Sequence, residues 1–223
     1  MPGNGTIMVC QCRVPAEADA EVLARGLALL PLPLQSEVTR YLRLEDRLAR
    51  LTARLLIRKT LHALTFSQES SLDLWQRDAN GRPLLAGSRA DFSISHANPW
   101  VVTAVGINRR VGIDVETFRS LELDSLLPYL TQAEAEQLRN TAQPEKAALH
   151  CWSMREAILK ADGRGLLAPE ETIRDIKEAR TPAGDPWQVE RLRFEEGCLY
   201  LACDRPASPL TRAEWSLKKL LDR

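Results

Sequence analysis

Two acidic side chains, Asp114 and Glu116, are two residues apart in the segment VGIDVE, residues 111–116. Apolar residues alternate with these acids, and a period of two predicts a strand that carries both carboxylates on one face. Two carboxylates so placed repel each other unless a cation lies between them, and such oxygen ligands suit Mg²⁺. The alternative is an edge strand with solvated acids, as on many sheet faces.

A third carboxylate, Glu156, lies in the segment WSMREAILK, residues 152–160. In a helix, Trp152, Glu156 and Lys160 share one face because each is four residues from the next. This face would supply a third metal ligand and a cation that neutralises a leaving phosphate. The alternative is an ordinary exposed Glu–Lys helix pair, which contributes about 0.2–0.5 kcal/mol.

Two further segments place polar side chains at turns. The segment SISH, residues 93–96, ends at His96 before an Asn-Pro turn, and NGRP, residues 80–83, presents Arg82. Loops at strand ends often carry binding groups, and the planar fork of arginine suits a phosphate. The alternatives are a histidine that caps local backbone and a solvent-facing turn arginine.

The elements that must position these residues alternate irregularly between strand and helix. Helices are predicted over residues 17–29, 36–64 and about 117–166, the last broken near Pro128 and Pro144 and ending at Gly163 or Gly165. Strands are predicted at 7–14, 111–116, 172–180, 187–194, 198–204 and 213–220, and hairpins at 73–87 and 91–106. Because no strict βαβ alternation occurs, the mixture favours an α+β fold over a parallel doubly wound sheet.

The helix predicted from Ser36, its N-cap, to Leu64 is rich in arginine. Three acids, Glu37, Glu45 and Asp46, leave this segment with a net charge of +4. The seven cationic side chains are Arg40, Arg43, Arg47, Arg50, Arg54, Arg58 and Lys59. A local cationic surface is therefore predicted within a neutral chain.

Composition excludes several classes of protein. The chain has 223 residues, 30 Lys plus Arg and 30 Asp plus Glu, so its formal net charge is zero. This length allows one large domain or two small ones, and the 44% hydrophobic content is that of an ordinary globular chain rather than a disordered one. Zero net charge argues against general binding to nucleic acid or to anionic membranes.

The termini and cysteines indicate a cytoplasmic protein. We find no apolar run near the roughly 20 residues that span a bilayer and no secretory signal at the N-terminus. The five cysteines are odd in number and have no C-x-x-C spacing. We therefore expect reduced thiols, several of them buried, rather than a zinc or disulfide site.

The ordered set NGRP, FSISH, VGIDVE and WSMREAILKADGRGL resembles the 4′-phosphopantetheinyl transferase superfamily. It is most similar to the larger single-chain type represented by the surfactin-synthetase activating enzyme, and the resemblance covers about residues 36–167. The resemblance implies transfer of the phosphopantetheine arm of coenzyme A to a serine hydroxyl of an apo acyl or peptidyl carrier protein. The other product would be adenosine 3′,5′-bisphosphate.

The resemblance also implies roles for the acidic residues and the lysine. By motif position, Asp114, Glu116 and Glu156 would be ligands of Mg²⁺, and Asp114 would also contact the coenzyme. Glu156 would act as general base for the serine, directly or through a metal-bound water, and Lys160 would stabilise or protonate the leaving phosphate. The usual lysine before the motif glutamate is Arg155 here, and because arginine and lysine differ in geometry we assign this position no catalytic role.

The remaining predicted coenzyme contacts lie in the first half of the chain. Those implied near the coenzyme's phosphates are Ser95 and His96, and those near the adenine and ribose are Asn80, Gly81 and Arg82. The arginine-rich helix would reach the 3′-phosphate, and we select Arg47 and Arg50 for that contact.

The resemblance implies two similar α+β halves related by pseudo-twofold symmetry, residues 1–109 and 110–223, with the active site in the cleft between them. A monomer without nucleic-acid or membrane partners is expected. The alternatives are another Mg²⁺-dependent phosphoryl-transfer enzyme, or a non-catalytic relative that binds carrier proteins or nucleotides. The carrier itself, from fatty-acid, polyketide or nonribosomal peptide synthesis, is left open.

Overall fold

The chain forms two compact units in a computed structural model, which describes residues 5–65, 72–118, 130–164, 180–181, 183–207 and 209–222. The first unit comprises Met1–Arg109 and Ala207–Arg223, and the second comprises Arg110–Pro206. The sequence placed everything after residue 109 in the C-terminal half. Residues from Ala207 instead join the first unit, because strand β9 (Leu210–Glu214) pairs in parallel with strand β1 (Ile7–Arg13).

A sheet of four strands in the order β4-β5-β1-β9 organises the first unit. Strands β4 (Ala90–Ala97) and β5 (Trp100–Ile107) form the predicted hairpin, and β5 is antiparallel to β1. A separate small hairpin, β2 (Trp75–Arg77) and β3 (Pro83–Leu85), carries the predicted NGRP turn.

Helix α3 (Leu44–Thr65) covers one face of this sheet and contacts β1, β4 and β5. Its apolar positions recur at helical spacing, and Leu51, Leu55 and Leu61 are fully buried in the core of the unit. The shorter helices are α1 (Ala20–Leu27), α2 (Leu32–Thr39) and α6 (Leu217–Leu221).

The single helix predicted over residues 36–64 is wrong in one respect. Two helices, α2 and α3, replace it, and Ser36 is not an N-cap because it lies within α2 and donates to the Leu32 carbonyl. The chain leaves helical geometry between the two, where the Arg47 side chain donates to the Tyr41 carbonyl at 2.5 Å. A side chain thus satisfies a carbonyl that a continuous helix would have paired internally.

The C-terminal segment also differs from its prediction. The strand predicted over residues 213–220 ends at Glu214, and helix α6 follows with Ser216 as its N-cap, whose hydroxyl accepts from the Lys219 amide. The strand predicted over residues 172–180 lies outside the described residues except for Arg180.

The second unit packs a long helix against a three-stranded antiparallel sheet. The sheet order is β6 (Val111–Thr117), β8 (Gly197–Cys203) and β7 (Gln188–Arg191). Helix α5 (Pro144–Asp162) contacts β6 and β8, and helix α4 (Gln132–Arg139) contacts α5. As predicted, α5 ends at Gly163, whose φ of 82° is easily reached by glycine.

Both units combine helices with largely antiparallel sheet, so the predicted α+β class is confirmed. The pseudo-twofold relation of the halves stays a prediction. Among the helices of the described ranges, none is sufficiently long and apolar to cross a bilayer.

Candidate active site

The glycine of VGIDVE explains how strand β6 meets helix α5. A Cβ atom at Gly112 would lie 2.0 Å from the Ala157 carbonyl oxygen and 2.4 Å from the Ala161 amide nitrogen. The helix backbone therefore packs directly on the strand, and a side chain there would push the two apart. Asp114 and Glu116 are two and four residues further along, so they project from the same face of β6 as Gly112.

Asp114 is buried beside the helix and paired with a cation. It is 3% exposed, and the Lys160 ammonium donates to its Oδ1 at 2.6 Å. The Ser153 hydroxyl of α5 donates to the Asp114 carbonyl oxygen at 3.4 Å. Among the strands of the described residues, β6 is at the edge of its sheet, as the alternative expected. Asp114 is nevertheless buried, so the solvated acid of that alternative does not describe it.

Glu156 belongs to the same charged group. Burial raises the pKa of Glu156 above its usual range, Lys160 partly offsets this, and the nearby Asp114 carboxylate raises the pKa further. Lys160 therefore interacts with both acids and is not simply one half of an exposed Glu–Lys pair. A carboxylate whose pKa is raised toward neutrality is a stronger proton acceptor, which suits a general base.

The donor chemistry of this group fits a hard divalent cation in part. Mg²⁺ commonly takes one or two protein carboxylates and completes its shell with water and substrate phosphate, and Asp114 with Glu156 supplies such a pair. Within the described residues, however, no three His, Cys, Asp or Glu side chains are arranged to hold a metal. Among these described residues the three predicted ligands therefore do not form such a group. The Lys160 ammonium lies against the Asp114 oxygen. The metal assignment, including Glu116, stays a prediction.

Arg155, which replaces the usual lysine of the motif, has a structural partner. Its side chain is 2% exposed, and it donates to Oε2 of Glu134 on α4. The same oxygen accepts from the amide and hydroxyl of Thr131, so Glu134 also caps the start of α4. The pair therefore ties α4 to α5.

His96 lies at the edge of a cavity of about 430 Å³ in the first unit. The loop after β1, the first turns of α3 and the β4–β5 turn line this cavity, with Arg13, Glu45 and Asp46 among its charged residues. His96 is exposed, whereas Ser95 is buried, because neighbouring strand residues point to opposite faces. The strand thus separates two residues that were predicted to act together.

The NGRP turn is built by its own hydrogen bonds. Asp78 accepts from the amides of Asn80 and Arg82 at 2.9 and 3.0 Å, and Gly81 has a φ of 81°. The Arg82 guanidinium makes a two-pronged pair with the Asp91 carboxylate at 2.7 and 2.8 Å and donates to the Phe92 carbonyl. The Arg82 side chain, a predicted coenzyme contact, therefore already links the turn to β4 through these hydrogen bonds.

Arg47 and Arg50 meet at Tyr41, between α2 and α3. The Arg50 guanidinium lies 3.8 Å from the centre of the Tyr41 ring, and the Arg47 side chain holds the Tyr41 carbonyl. Arg40 contacts the same tyrosine through its hydroxyl. The arginine-rich segment thus concentrates cations around one aromatic ring.

Comparisons with known proteins identify the family. Residues 110–208 match the family model described as the 4′-phosphopantetheinyl transferase superfamily, and residues 17–108 match the model described as 4′-phosphopantetheinyl transferase, N-terminal. The chain belongs to the 4′-phosphopantetheinyl transferase superfamily. The resemblance stated from the four motifs is therefore confirmed.

Relatives in this superfamily match the chain over part of their length. The chain is 29% identical over 160 residues to the 4′-phosphopantetheinyl transferase gsp of Aneurinibacillus migulanus, covering 70% of this chain and 66% of gsp. It is 29% identical over 133 residues to HetI of Nostoc, covering 55% and 56%, and 30% identical over 86 residues to Sfp of Bacillus subtilis, covering 38% of each. The chain thus spans just under two thirds of gsp and about half or less of the other two.

Three of the predicted residues of this superfamily member come together in the second unit, namely Asp114, Glu156 and Lys160. The sequence analysis did not identify two acids that pair with arginines in the structure. Glu134 partners Arg155, and Glu37 partners two arginines in the first unit. Glu37 is the one acid in the segment LPLQSEVT, and that isolation next to an arginine-rich helix was the available signal.

Proposed function

We propose that the protein transfers the 4′-phosphopantetheine arm of coenzyme A to a serine of an apo acyl or peptidyl carrier protein. The serine oxygen would form a bond to the β-phosphorus of the coenzyme's pyrophosphate, and the bond from that phosphorus to the bridging oxygen would break. The leaving group would be adenosine 3′,5′-bisphosphate. Because the chain spans only part of its relatives, this activity is a proposal that rests on the family and on the charged group beside β6.

The observation that carries the proposal is the grouping of Asp114, Glu156 and Lys160. Glu156, with its raised pKa, would accept the serine proton directly or through a water molecule. Lys160 would stabilise the negative charge that develops on the departing phosphate, since its ammonium is already next to the carboxylates. A bound Mg²⁺, held by Asp114 and Glu156 with Glu116 as the further ligand, would supply charge neutralisation for the pyrophosphate.

Binding of coenzyme A would use the segments of the first unit. His96 at its cavity and the turn at Asn80–Arg82 are candidates for the phosphates and the adenosine. Arg47 and Arg50 remain candidates for the 3′-phosphate, since the arginine-rich segment provides cations that pair well with phosphate. Ser95 is buried, so a contact through it would need access from its own face of β4.

The test is a transfer assay with a panel of carriers. The protein is incubated with coenzyme A, Mg²⁺ and purified apo carriers from fatty-acid, polyketide and nonribosomal peptide systems, and each carrier is weighed by mass spectrometry. A mass gain of one phosphopantetheine arm on a carrier serine supports the proposal. No gain on any carrier, together with hydrolysis of simpler nucleotides, would instead indicate a different phosphoryl-transfer enzyme.

A carrier in which alanine replaces the acceptor serine is the matched substrate control. It should gain no mass, because no oxygen nucleophile is present at that position. Omission of Mg²⁺ in the presence of a chelator tests the metal separately. Undiminished transfer under those conditions would remove the metal from the proposal and leave the transfer itself intact.

A further inference from the structure

One carboxylate in the first unit holds two arginines that come from different elements. Oε2 of Glu37, on α2, accepts from Nη2 of Arg54, on α3, at 2.7 Å. The same oxygen accepts from Nη2 of Arg77, on β2, at 3.0 Å, and Oε1 accepts from Nε of Arg77 at 3.3 Å. Glu37 thus joins a helix, a second helix and a hairpin at one point.

Each arginine extends from Glu37 to a segment that is a candidate for coenzyme binding. Nη1 of Arg77 donates to the carbonyl oxygen of Gly81 at 2.8 Å, inside the Asn80–Arg82 turn. Nη1 of Arg54 donates to the carbonyl oxygen of Arg50 at 2.9 Å. A continuous chain of hydrogen bonds therefore runs from the turn through Arg77, Glu37 and Arg54 to the backbone of Arg50.

Burial makes this chain difficult to rearrange. Arg54 is 4% exposed, and its guanidinium lies 5.2 Å from the centre of the Trp75 ring. Burial opposes ionisation of Glu37, yet the hydrogen bonds from Arg77 and Arg54 lower the pKa of Glu37 below its usual range. Breaking the Arg54–Glu37 contact would leave the buried Arg54 charge poorly solvated and unpaired, which is costly in a protein interior.

The charge of Glu37 decides what kind of role it can have. A carboxylate repels phosphate, so Glu37 gains nothing from touching a polyanionic ligand directly. Its two arginines instead present fixed donors to backbone carbonyls in the turn and in α3. Glu37 can therefore aid ligand binding only by fixing the positions of those two segments.

We propose that Glu37 is a positioning residue for coenzyme A, which fixes the Asn80–Arg82 turn relative to Arg50 through Arg77 and Arg54. This inference rests on the proposed function, because it requires that coenzyme A binds to these segments. Holding both segments in one arrangement before the ligand arrives removes part of the ordering cost of binding.

Coenzyme A binding to the whole protein, measured by titration calorimetry, tests the inference. The variants are Glu37→Gln, which keeps the side-chain shape and removes the charge, and Arg77→Met, which removes the hydrogen bonds to Glu37 and to the Gly81 carbonyl. The control is Glu214→Gln, a carboxylate of the same unit that accepts from the Gln11 amide and contacts neither segment. Both test variants should weaken coenzyme binding by about tenfold or more, since a hydrogen bond to a charged group corresponds to at least that factor, and the control should bind as wild type does.

A transfer assay separates positioning from simple loss of structure. Positioning predicts a raised KM for coenzyme A with an unchanged kcat and an unchanged KM for the carrier. Partial unfolding would lower the active fraction, and therefore the apparent kcat, while the folded fraction kept its KM. Arg77→Lys, which keeps the charge but not the fork, should recover part of the affinity that Arg77→Met loses.

Arg77→Met keeps the test decisive if Glu37→Gln does not fold. The Arg77 side chain is 39% exposed, and its removal leaves the Glu37–Arg54 pair in place, so this variant should stay folded. Wild-type affinity in Arg77→Met, or a loss of the same size in Glu214→Gln, would overturn the inference. Failure of the wild type to bind coenzyme A at all would overturn the proposed function, and the inference with it.

Discussion

The two units gather buried charge with opposite signs. In the first unit one acid, Glu37, lies between two arginines, Arg54 and Arg77. In the second unit one base, Lys160, interacts with two acids, Asp114 and Glu156. Both groups form beside a long helix that packs on a sheet, so the same architecture supports an excess of cations in one unit and an excess of anions in the other.

The difference shows what the neutral composition conceals. A chain with 30 basic and 30 acidic residues has zero formal charge, but its charges are sorted into separate local groups. A cationic group suits a ligand rich in phosphate, and an anionic group with one lysine suits a cation and proton transfer. Each group keeps one residue of the minority sign, which limits the repulsion among the others.

The largest expected effect comes from removing an acid of the second unit. Asp114→Ala should lower kcat/KM for transfer by at least about 100-fold, because it removes a buried carboxylate at the reacting group. The fold should largely survive, since Lys160 is part exposed and can be solvated when its partner is lost. Circular dichroism and a mass-based transfer assay measure the two properties.

Asp114→Asn is the matched control, because it keeps side-chain shape and removes charge alone. It should lose activity to a similar degree as Asp114→Ala. Wild-type activity in either variant would show that the anionic group is not the reacting group.

The next largest effect is on stability. It tests whether the second unit needs the Arg155–Glu134 pair, which lies outside the group of Asp114, Glu156 and Lys160. Arg155→Met should reduce the free energy of unfolding by about 2–4 kcal/mol, because it leaves the Glu134 carboxylate without its arginine. Urea unfolding gives the value. Glu195→Ala, which breaks the exposed Arg193–Glu195 pair of the same unit, should change stability by less than about 1 kcal/mol.

A pH series sharpens the role of Glu134. Burial opposes its ionisation, but hydrogen bonds from Arg155 and Thr131 lower the pKa of Glu134 below its ordinary value of 4.5. The carboxylate therefore stabilises the fold above its unfolded pKa, and this contribution is lost as the pH falls through the lower folded pKa. The stability difference between wild type and Glu134→Gln should be constant near neutral pH and shrink in acid. A difference independent of pH would exclude an ionic contribution.

The smallest expected effect is a gain in stability, whereas the other variants lose activity or stability. The pKa of Glu156 is raised, so its ionised form destabilises the fold near neutral pH, and that cost disappears when the group is neutral. Glu156→Gln should raise the melting temperature slightly while transfer activity falls. A lower melting temperature would indicate that the ionised Glu156 side chain stabilises the fold, as Glu134 does.

Much of the local structure could be predicted from the sequence. Strand alternation placed β6 correctly, the Asn-Pro turn marked the β4–β5 hairpin, and Gly163 ends α5 as expected. The break between α2 and α3 could not be predicted, because the leucine and arginine pattern runs through it and the Arg47 contact with Tyr41 depends on the folded chain. The pairing of the C-terminal strand β9 also could not be predicted, because its partner β1 lies about 200 residues earlier in the chain.

The sequence by itself determined the family, the residue types of the charged group and the faces on which they lie. These follow from motif spacing and from the periods of strand and helix, which act over a few residues. Only the tertiary structure decided that Lys160 pairs with Asp114, that Arg82 is held by Asp91, and that Glu37 joins two arginines. Charged side chains reach partners far along the chain, and their choice depends on which groups become buried together.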